Sequence, residues 1–379
     1  MTLNLQGRRI RHFLPLLALS LALLINLAQA KTATKTAGKT ATTTLSPKGE
    51  QQQSFVILQY HHVSSTTPRV TSTSPDEFEA HMAYLNEHAT VMSLDSAINR
   101  LKNRLPFPKN AVAITFDDGF DNILENGHPI LRQYQFPYTI FINPDEIGVS
   151  PSQLNWNEVK QMSEEGVLFA NHTLDHIHLL DRFSEENDKA WLVRIQKNIE
   201  SAEAKLMDEL GYSLKWLAYP FGEFSIEVKN LIASMGYVGF GQQSGAVGPF
   251  SDITALPRYP AAGSYAKLES LRTKIHSLAM PITGLRPSKS LMQIGEVLEK
   301  IELETNFEGF SAAELACYFK GKSLEVTKTE RGFSIQLNAR FTPGRTRVNC
   351  TAPSSTDRSR YYWYSIPFFT AQEDGTFLD

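Results

Sequence analysis

Cysteine is nearly absent from this 379-residue chain: only Cys317 and Cys350 occur, both late in the sequence. Neither stands just after the apolar leader, which argues against a lipoprotein anchor attached through a thiol. Neither sign of charge dominates. The 37 Lys and Arg against 40 Asp and Glu leave a formal charge of −3, which argues against a nucleic-acid partner. No internal repeat is evident, and no long apolar stretch follows the leader, so no further membrane span is expected. What remains is a globular composition, 42% hydrophobic and 20% charged, at a length that allows a large core and more than one domain.

Residues 1–30 read as a secretory signal peptide. Arg8, Arg9 and Arg11 form a positive region, residues 13–27 are apolar, and Ala28-Gln29-Ala30 is a small-residue cleavage site. The competing reading, a retained anchor, is weaker because the apolar run is short for a span. Cleavage would leave no stable membrane span and a periplasmic or secreted protein. There Cys317 and Cys350 are free to form a disulfide, two free thiols in a β-rich core being the alternative. Residues 31–53, rich in Thr, Ala, Lys and Gln without apolar periodicity, read as a disordered linker.

Residues 54–281 alternate strand and helix patterns. Strands are expected at 55–60, 111–116, 138–142, 167–170, 214–219 and 237–241. Helices are expected at 75–87, 94–101, 123–134, 156–165, 190–210 and 226–235, with Gly166, Gly211 and Gly236 closing the last three. Repeated units of this length predict a parallel α/β sheet or barrel. The pattern changes in residues 282–379. The stretch 285–308 reads as polar and partly helical. Short strands at 314–319, 323–329, 333–341, 346–351 and 361–369 then predict a small antiparallel β-domain.

Two segments carry chemistry. Thr115-Phe116-Asp117-Asp118-Gly119 follows the apolar Ala111-Val112-Ala113-Ile114, which puts two carboxylates at the C-terminal end of a buried strand. That is the end where α/β barrels build active sites. His172-Thr173-Leu174-Asp175-His176 likewise follows the apolar Val167-Leu168-Phe169-Ala170. One carboxylate with two imidazoles suits a divalent metal with an open position and leaves the second carboxylate free as a base. Alone, each segment is ambiguous: Asp-Asp-Gly is a common turn, and a histidine pair at this spacing can cap a helix. Together, each behind a buried-strand pattern, they point to a metal-dependent hydrolase.

With Tyr219-Pro220-Phe221-Gly222, these segments resemble the polysaccharide deacetylases, carbohydrate esterase family 4 with the NodB-homology fold, over roughly residues 55–280. The resemblance implies a deformed (β/α) barrel that removes acetyl groups from N-acetylated glycans, followed here by the β-sandwich-like domain. It implies Asp118, His172 and His176 as metal ligands and Asp117 as the base. Zinc is the default metal, and cobalt or nickel suits the same donors. Tyr219, Pro220 and Phe221 would lie at the substrate, with the Phe221 N–H at the oxyanion. The family's late Leu-x-His acid has no match, since Lys274-Ile275-His276 lacks the Leu and His276 reads as a helix-surface residue. His61, in Tyr60-His61-His62-Val63, is the better acid. That opening, with Thr73-Ser74-Pro75, Phe78 and Ser93-Leu94, looks like the exported deacetylases of poly-β-1,6-N-acetylglucosamine, in which this His is the acid.

One departure stands out. Ala218 occupies the place where many members carry a base-orienting Arg. Arg258 either supplies an equivalent guanidinium at the base and substrate or is a surface residue, and both readings stay open. His62, His81, His88, His128 and His178 read as structural, and Trp156 and Tyr219 read either as sugar-stacking aromatics or, the commoner case beside strands, as core. The expectation is therefore an exported, metal-dependent deacetylase of a poly-N-acetylglucosamine-like polysaccharide. Chitooligosaccharide or peptidoglycan deacetylation is the alternative within the enzyme class, and an inactive glycan-binding envelope protein the alternative outside it. In the β-domain, alternation in Tyr361-Tyr362-Trp363-Tyr364 leaves one aromatic face for packing on the barrel, the favoured reading, or for a glycan platform, and the domain as a whole is open to an envelope export partner.

Overall fold

The run Phe55-Val56-Ile57-Leu58 lacks polar alternation, as a strand covered on both faces requires, and it enters strand β1 (Val56–Tyr60). In the computed structural model, which describes residues 53–378, six more strands follow along the main path of this eight-stranded sheet: β2 (Ala111–Asp118), β3 (Tyr138–Ile142), β4 (Leu168–Asn171), β5 (Trp216–Ala218), β6 (Val238–Phe240) and β7 (Tyr259–Pro260), with the short Thr90–Val91 pairing β2 off that path. The expected leader and nearly all of the expected linker lie outside the described residues. The strands are parallel, in the order β7-β1-β2-β3-β4-β5-β6. Phe240 at the end of β6 also bridges Leu256 in parallel. The closing stave is thus broken: Leu256 meets β6, Tyr259 meets β1, and Pro257-Arg258 lie at the break. This is a deformed (β/α) barrel.

Helices wrap it where the 3.6-residue pattern places them. Two begin with reciprocal capping boxes, Ser74 with Glu77 and Asn155 with Glu158, which satisfy amide groups a helix start leaves unpaired. The longest, Asp188–Leu210, stops at Gly211 in the left-handed conformation. Among the described residues no helix is long and apolar enough to cross a membrane.

The stretch 285–308 corrects the sequence reading. It contains no helix; it holds strands Leu291–Met292 and Val297–Glu304. The Glu- and Lys-rich composition mimics a polar helix, yet the alternation is two-residue. Ile301 and Leu303 are buried, while Lys300 is exposed and Glu302 and Glu304 lie at the opposite face. This strand belongs to a four-stranded sheet with Gly284–Arg286, Glu325–Lys328 and Gly332–Arg340. A six-stranded sheet faces it, built around Gly344–Pro353 and Tyr361–Thr370. Ile301, Leu303, Phe333 and Ile335 from the first sheet and Val348, Ile366 and Phe368 from the second share one core, which makes a β-sandwich. Cys317 and Cys350 stand opposite each other on paired strands and are disulfide-bonded.

Barrel and sandwich lie within one compact unit. The second sheet already includes Ser277–Ala279, which pairs with Tyr361–Trp363. Trp363 packs edge-on against Tyr259 of β7, ring centroids 5.6 Å apart, and Phe369 against Phe224 at 5.4 Å. The aromatic strand 361–370 therefore packs on both faces, with Tyr362 and Tyr364 against the sandwich core.

Candidate active site

The C-terminal ends of the strands converge. β2 brings Asp117 and Asp118, and a change in backbone conformation separates their roles. Asp118 has φ +73, a left-handed state that Asp tolerates better than most residues, so successive carboxylates need not point to opposite faces. Gly119 continues the turn at φ +75, where a Cβ would lie 2.8 Å from Ile142 Cγ2. After β4, Thr173 (φ +72) and His176 (φ +55) are also left-handed. For the β-branched Thr173 this is strained backbone. It is held by the Asn171 side chain, which accepts from Thr173 N at 2.8 Å, and by Asn143 Nδ2, which donates to the His172 carbonyl.

These turns bring Asp118 Oδ1 to 3.3 Å from both His172 Nε2 and His176 Nε2. The three ligand atoms lie within 4.8 Å of one another. His172 Nδ1 donates to the Ala218 carbonyl at 2.8 Å, which turns the Nε2 lone pair toward Asp118. Asp118 Oδ1 and His172 Nε2 are buried and neither has a hydrogen-bond partner. Unsatisfied buried polar atoms are costly, and a cation between them removes the cost. Burial opposes ionisation of Asp118, but the two imidazoles outweigh it and hold the carboxyl well below its usual range. Burial opposes protonation of His172, yet Asp117 and Asp118 prevail and raise it above its usual value. A field that draws a proton onto a buried imidazole has room for positive charge. These residues fit a divalent ion.

Asp117 is held differently. Its side chain is fully buried, and Arg258 clamps it with two bonds, Nη1 to Oδ1 at 2.6 Å and Nη2 to Oδ2 at 2.7 Å. Gln59 Nε2 donates to Oδ2 at 2.6 Å. Arg258 is fixed in turn by its Nε bond to the Gly241 carbonyl at 2.9 Å. Burial pushes Asp117 up, but the Arg258 charge and then His172 outweigh it, so its carboxyl titrates below the usual value. Of the two readings of Arg258, the structure shows the buried guanidinium at Asp117; it is not a surface residue, and it does not face a substrate. It reaches the site from the break in the closing stave, not from the strand that carries Ala218. His61, at the end of β1, is partly exposed with Nε2 4.0 Å from Asp117 Oδ2.

The Tyr219-Pro220-Phe221-Gly222 segment turns sharply after β5. Phe221 has φ +56 and Gly222 φ +71; a Cβ on Gly222 would lie 2.6 Å from Gln242 Cβ. The Phe221 ring stands 4.7 Å from that of His176 and stacks flat on His178, at 3.8 Å and 3°. His178 Nδ1 bonds Glu223 at 2.9 Å. Arg345, from the sandwich, reaches the same buried Glu223 at 3.2 Å and lies over the Phe221 ring.

Several expectations are corrected by position. The Tyr219 ring cannot meet a substrate: it is fully buried and its hydroxyl donates to the Thr254 carbonyl at 2.6 Å. Pro220 is buried as well. Trp156 is partly buried against the barrel core. His276 ends the helix Leu268–Ile275 half-buried, its carbonyl accepting from Arg360. His62 stacks on Phe120 at 3.7 Å and bonds Asn122. Sequence reasoning missed Gln59, Glu223 and Arg345 and underrated His178. Gln59 leaves a signal, a polar residue inside the wholly buried strand β1. Glu223 and Arg345 leave none, because their partners are distant in sequence.

A family model described as polysaccharide deacetylase matches residues 104–240. YxkH of Bacillus subtilis, named for the polysaccharide deacetylases, is 30% identical over 217 residues, 56% of this chain and 72% of that protein. A poly-β-1,6-N-acetyl-D-glucosamine N-deacetylase of Staphylococcus aureus is 28% identical over 228 residues, 55% of this chain and 79% of that one. Among solved structures, Streptococcus pyogenes deacetylase PplD in complex with acetate superposes with TM-score 0.52 at 21% identity, covering 59% of this chain and 98% of that one. IcaB from Ammonifex degensii gives 0.51 at 21% identity, covering 57% and 95%. At these identities the structures speak for the fold.

Proposed function

The chain belongs to the polysaccharide deacetylase family, and we propose that it is an exported, metal-dependent enzyme that hydrolyses the N-acetyl groups of a poly-β-1,6-N-acetylglucosamine-like polysaccharide. The observation that carries this reading is the contrast between two adjacent carboxylates. Asp117 is fixed by three hydrogen bonds from Arg258 and Gln59, while Asp118 Oδ1 and His172 Nε2 are buried and unpartnered.

Asp118, His172 and His176 would hold the ion, zinc by default. When bound, such an ion polarises an acyl carbonyl and makes nearby water more acidic. The chain's own residues supply the rest. Asp117, kept ionised by Arg258, accepts the proton of the attacking water; Oδ2 is filled by two donors, and Oδ1 keeps an acceptor position beside Arg258 Nη1. His61, partly exposed with Nε2 4.0 Å from Asp117 Oδ2, gives a proton to the departing amine. The Phe221 N–H, on a left-handed turn beside His176, is the proposed donor to the developing oxyanion. The β-1,6-linked substrate is favoured by the opening around His61 and by the Staphylococcus aureus relative. A periplasmic or secreted location follows from residues 1–30 and agrees with the disulfide.

Acetate release from β-1,6- and β-1,4-linked N-acetylglucosamine oligomers tests the proposal. Release from the β-1,6 series that Asp117→Asn abolishes supports it. Equal or greater release from the β-1,4 series would reassign the substrate, and none from either would overturn the reading.

A further inference from the structure

A groove of about 580 Å³ runs between barrel and sandwich and begins at the Phe221 turn. Phe221, Gln242 and Tyr265 line it from the barrel, and Lys320, Arg345 and Arg347 from the sandwich. No carboxylate lines it; the nearest, Glu223, is buried and already shared by Arg345 and His178. Arg347 bonds only the Tyr265 hydroxyl, at 3.2 Å, and Lys320 lies 5.4 Å over the Phe319 ring. Neither meets a carboxylate among the described residues. Two uncompensated cations and a third half-neutralised one therefore face a space that opens beside the ring packed on His176. Clefts lined by one sign of charge concentrate ligands of the other sign, and a guanidinium binds carboxylate or phosphate oxygens in a planar fork.

We propose that this groove is an anion-binding subsite, contributed by the sandwich, that takes a carboxylate or phosphate substituent of the glycan while a neighbouring N-acetyl group lies at Asp117 and Asp118. The polymer is then not uniformly neutral: it carries acidic groups a sugar or two from the residue being deacetylated. The placement of the glycan rests on the deacetylase reading; the charge of the groove does not.

Binding and turnover separate the two. The probes are the neutral N-acetylglucosamine pentamer and its carboxymethylated derivative, titrated calorimetrically into the whole protein. The wild type should bind the carboxymethylated pentamer about tenfold more tightly, and salt of about 0.5 M should shrink the gap. Lys320→Ala with Arg347→Ala should erase it. Lys320→Glu, at an exposed turn with no structural bond to lose, should reverse it without changing the melting temperature. Acetate release from both pentamers is followed alongside, where the double variant should raise KM for the acidic probe and leave kcat unchanged. Equal affinity for the two probes in the wild type, or a gap that survives both variants, would overturn the subsite. A charge-dependent gap without acetate release would leave the subsite standing and overturn the deacetylase reading instead.

Discussion

In the barrel, the groups with chemistry to offer stand on strand ends or the loops just after them: His61 after β1, Asp117 and Asp118 on β2, His172 and His176 after β4, and Arg258 beside β7. Among the described residues the sandwich has no such cluster of carboxylates and imidazoles. It contributes Arg345 to Glu223 and Phe369 to Phe224, and so braces the turn on which Phe221 stands. On the proposed reading the barrel carries the reaction, and the sandwich holds part of its geometry and a binding groove beside it. A strand end fixes a side chain through the sheet's own hydrogen bonds, whereas a left-handed turn such as Phe221 persists only if its surroundings enforce it.

The largest test of this division is to remove the sandwich. Truncation at residue 281 strips the partners of Tyr259 and Phe224 and leaves Ser277–Ala279 without its neighbouring strand. The truncated chain should lose its cooperative melting transition and its activity together. A truncated barrel that melts sharply and keeps wild-type kcat/KM would make the sandwich an appendage.

Within the barrel, Asp117→Asn should lower kcat about a thousandfold and also destabilise the fold, because an amide donor then faces the Arg258 or Gln59 N–H groups and the buried guanidinium loses its counter-charge. Arg258→Leu breaks the same pair from the other side. It leaves a buried carboxylate without its cation and should cost about 3 to 5 kcal/mol in urea unfolding. If Arg258→Leu were fully stable, the clamp would not set the state of Asp117.

Arg345→Ala sharpens the comparison from the sandwich side. Glu223 retains His178, so the fold should survive, while the Phe221 turn loosens and kcat falls about tenfold. An unchanged kcat would detach the sandwich from catalysis.

A further test within the barrel is a pH dependence. The nine histidines among the described residues all precede Ser277, so their titration falls on the barrel and not on the sandwich. His81 is buried and pushed down to about 4, chiefly by burial. Its Nδ1 accepts from the Tyr60 hydroxyl while Nε2 donates to the Ala266 carbonyl, an arrangement that needs the neutral ring. Because the folded value lies below the ordinary 6.5, the unfolded chain takes up the proton first as pH falls. Stability should therefore drop between pH 6.5 and about 4, by up to about 3 kcal/mol from this group. Urea unfolding of wild type and His81→Gln across that range checks it: the variant should show the flatter profile.

The same comparison explains what could be read in the sequence. The barrel strands are apolar runs between turn residues, so β3 at Tyr138–Ile142 falls where the pattern puts it, and the two chemical segments follow such runs. The family match over residues 104–240 covers those segments but neither His61 nor Arg258. Arg258 could be named but not placed, since nothing local shows that the closing stave breaks at Pro257 and turns the guanidinium inward. Tyr219 misled because an aromatic in a motif looks available to a sugar, while tertiary packing buries its ring. The stretch 297–304 misled through composition, its two-residue alternation hidden among Glu and Lys. Arg345 and Glu223 meet across 122 residues, and only the fold brings them together.

The most direct measurement is acetate release from N-acetylglucosamine oligomers by protein stripped with a chelator and titrated with zinc. The account predicts no release after stripping, recovery that saturates at about one ion per chain, and no recovery in His172→Ala. Release that persists in stripped protein, or returns with zinc in His172→Ala, would contradict it.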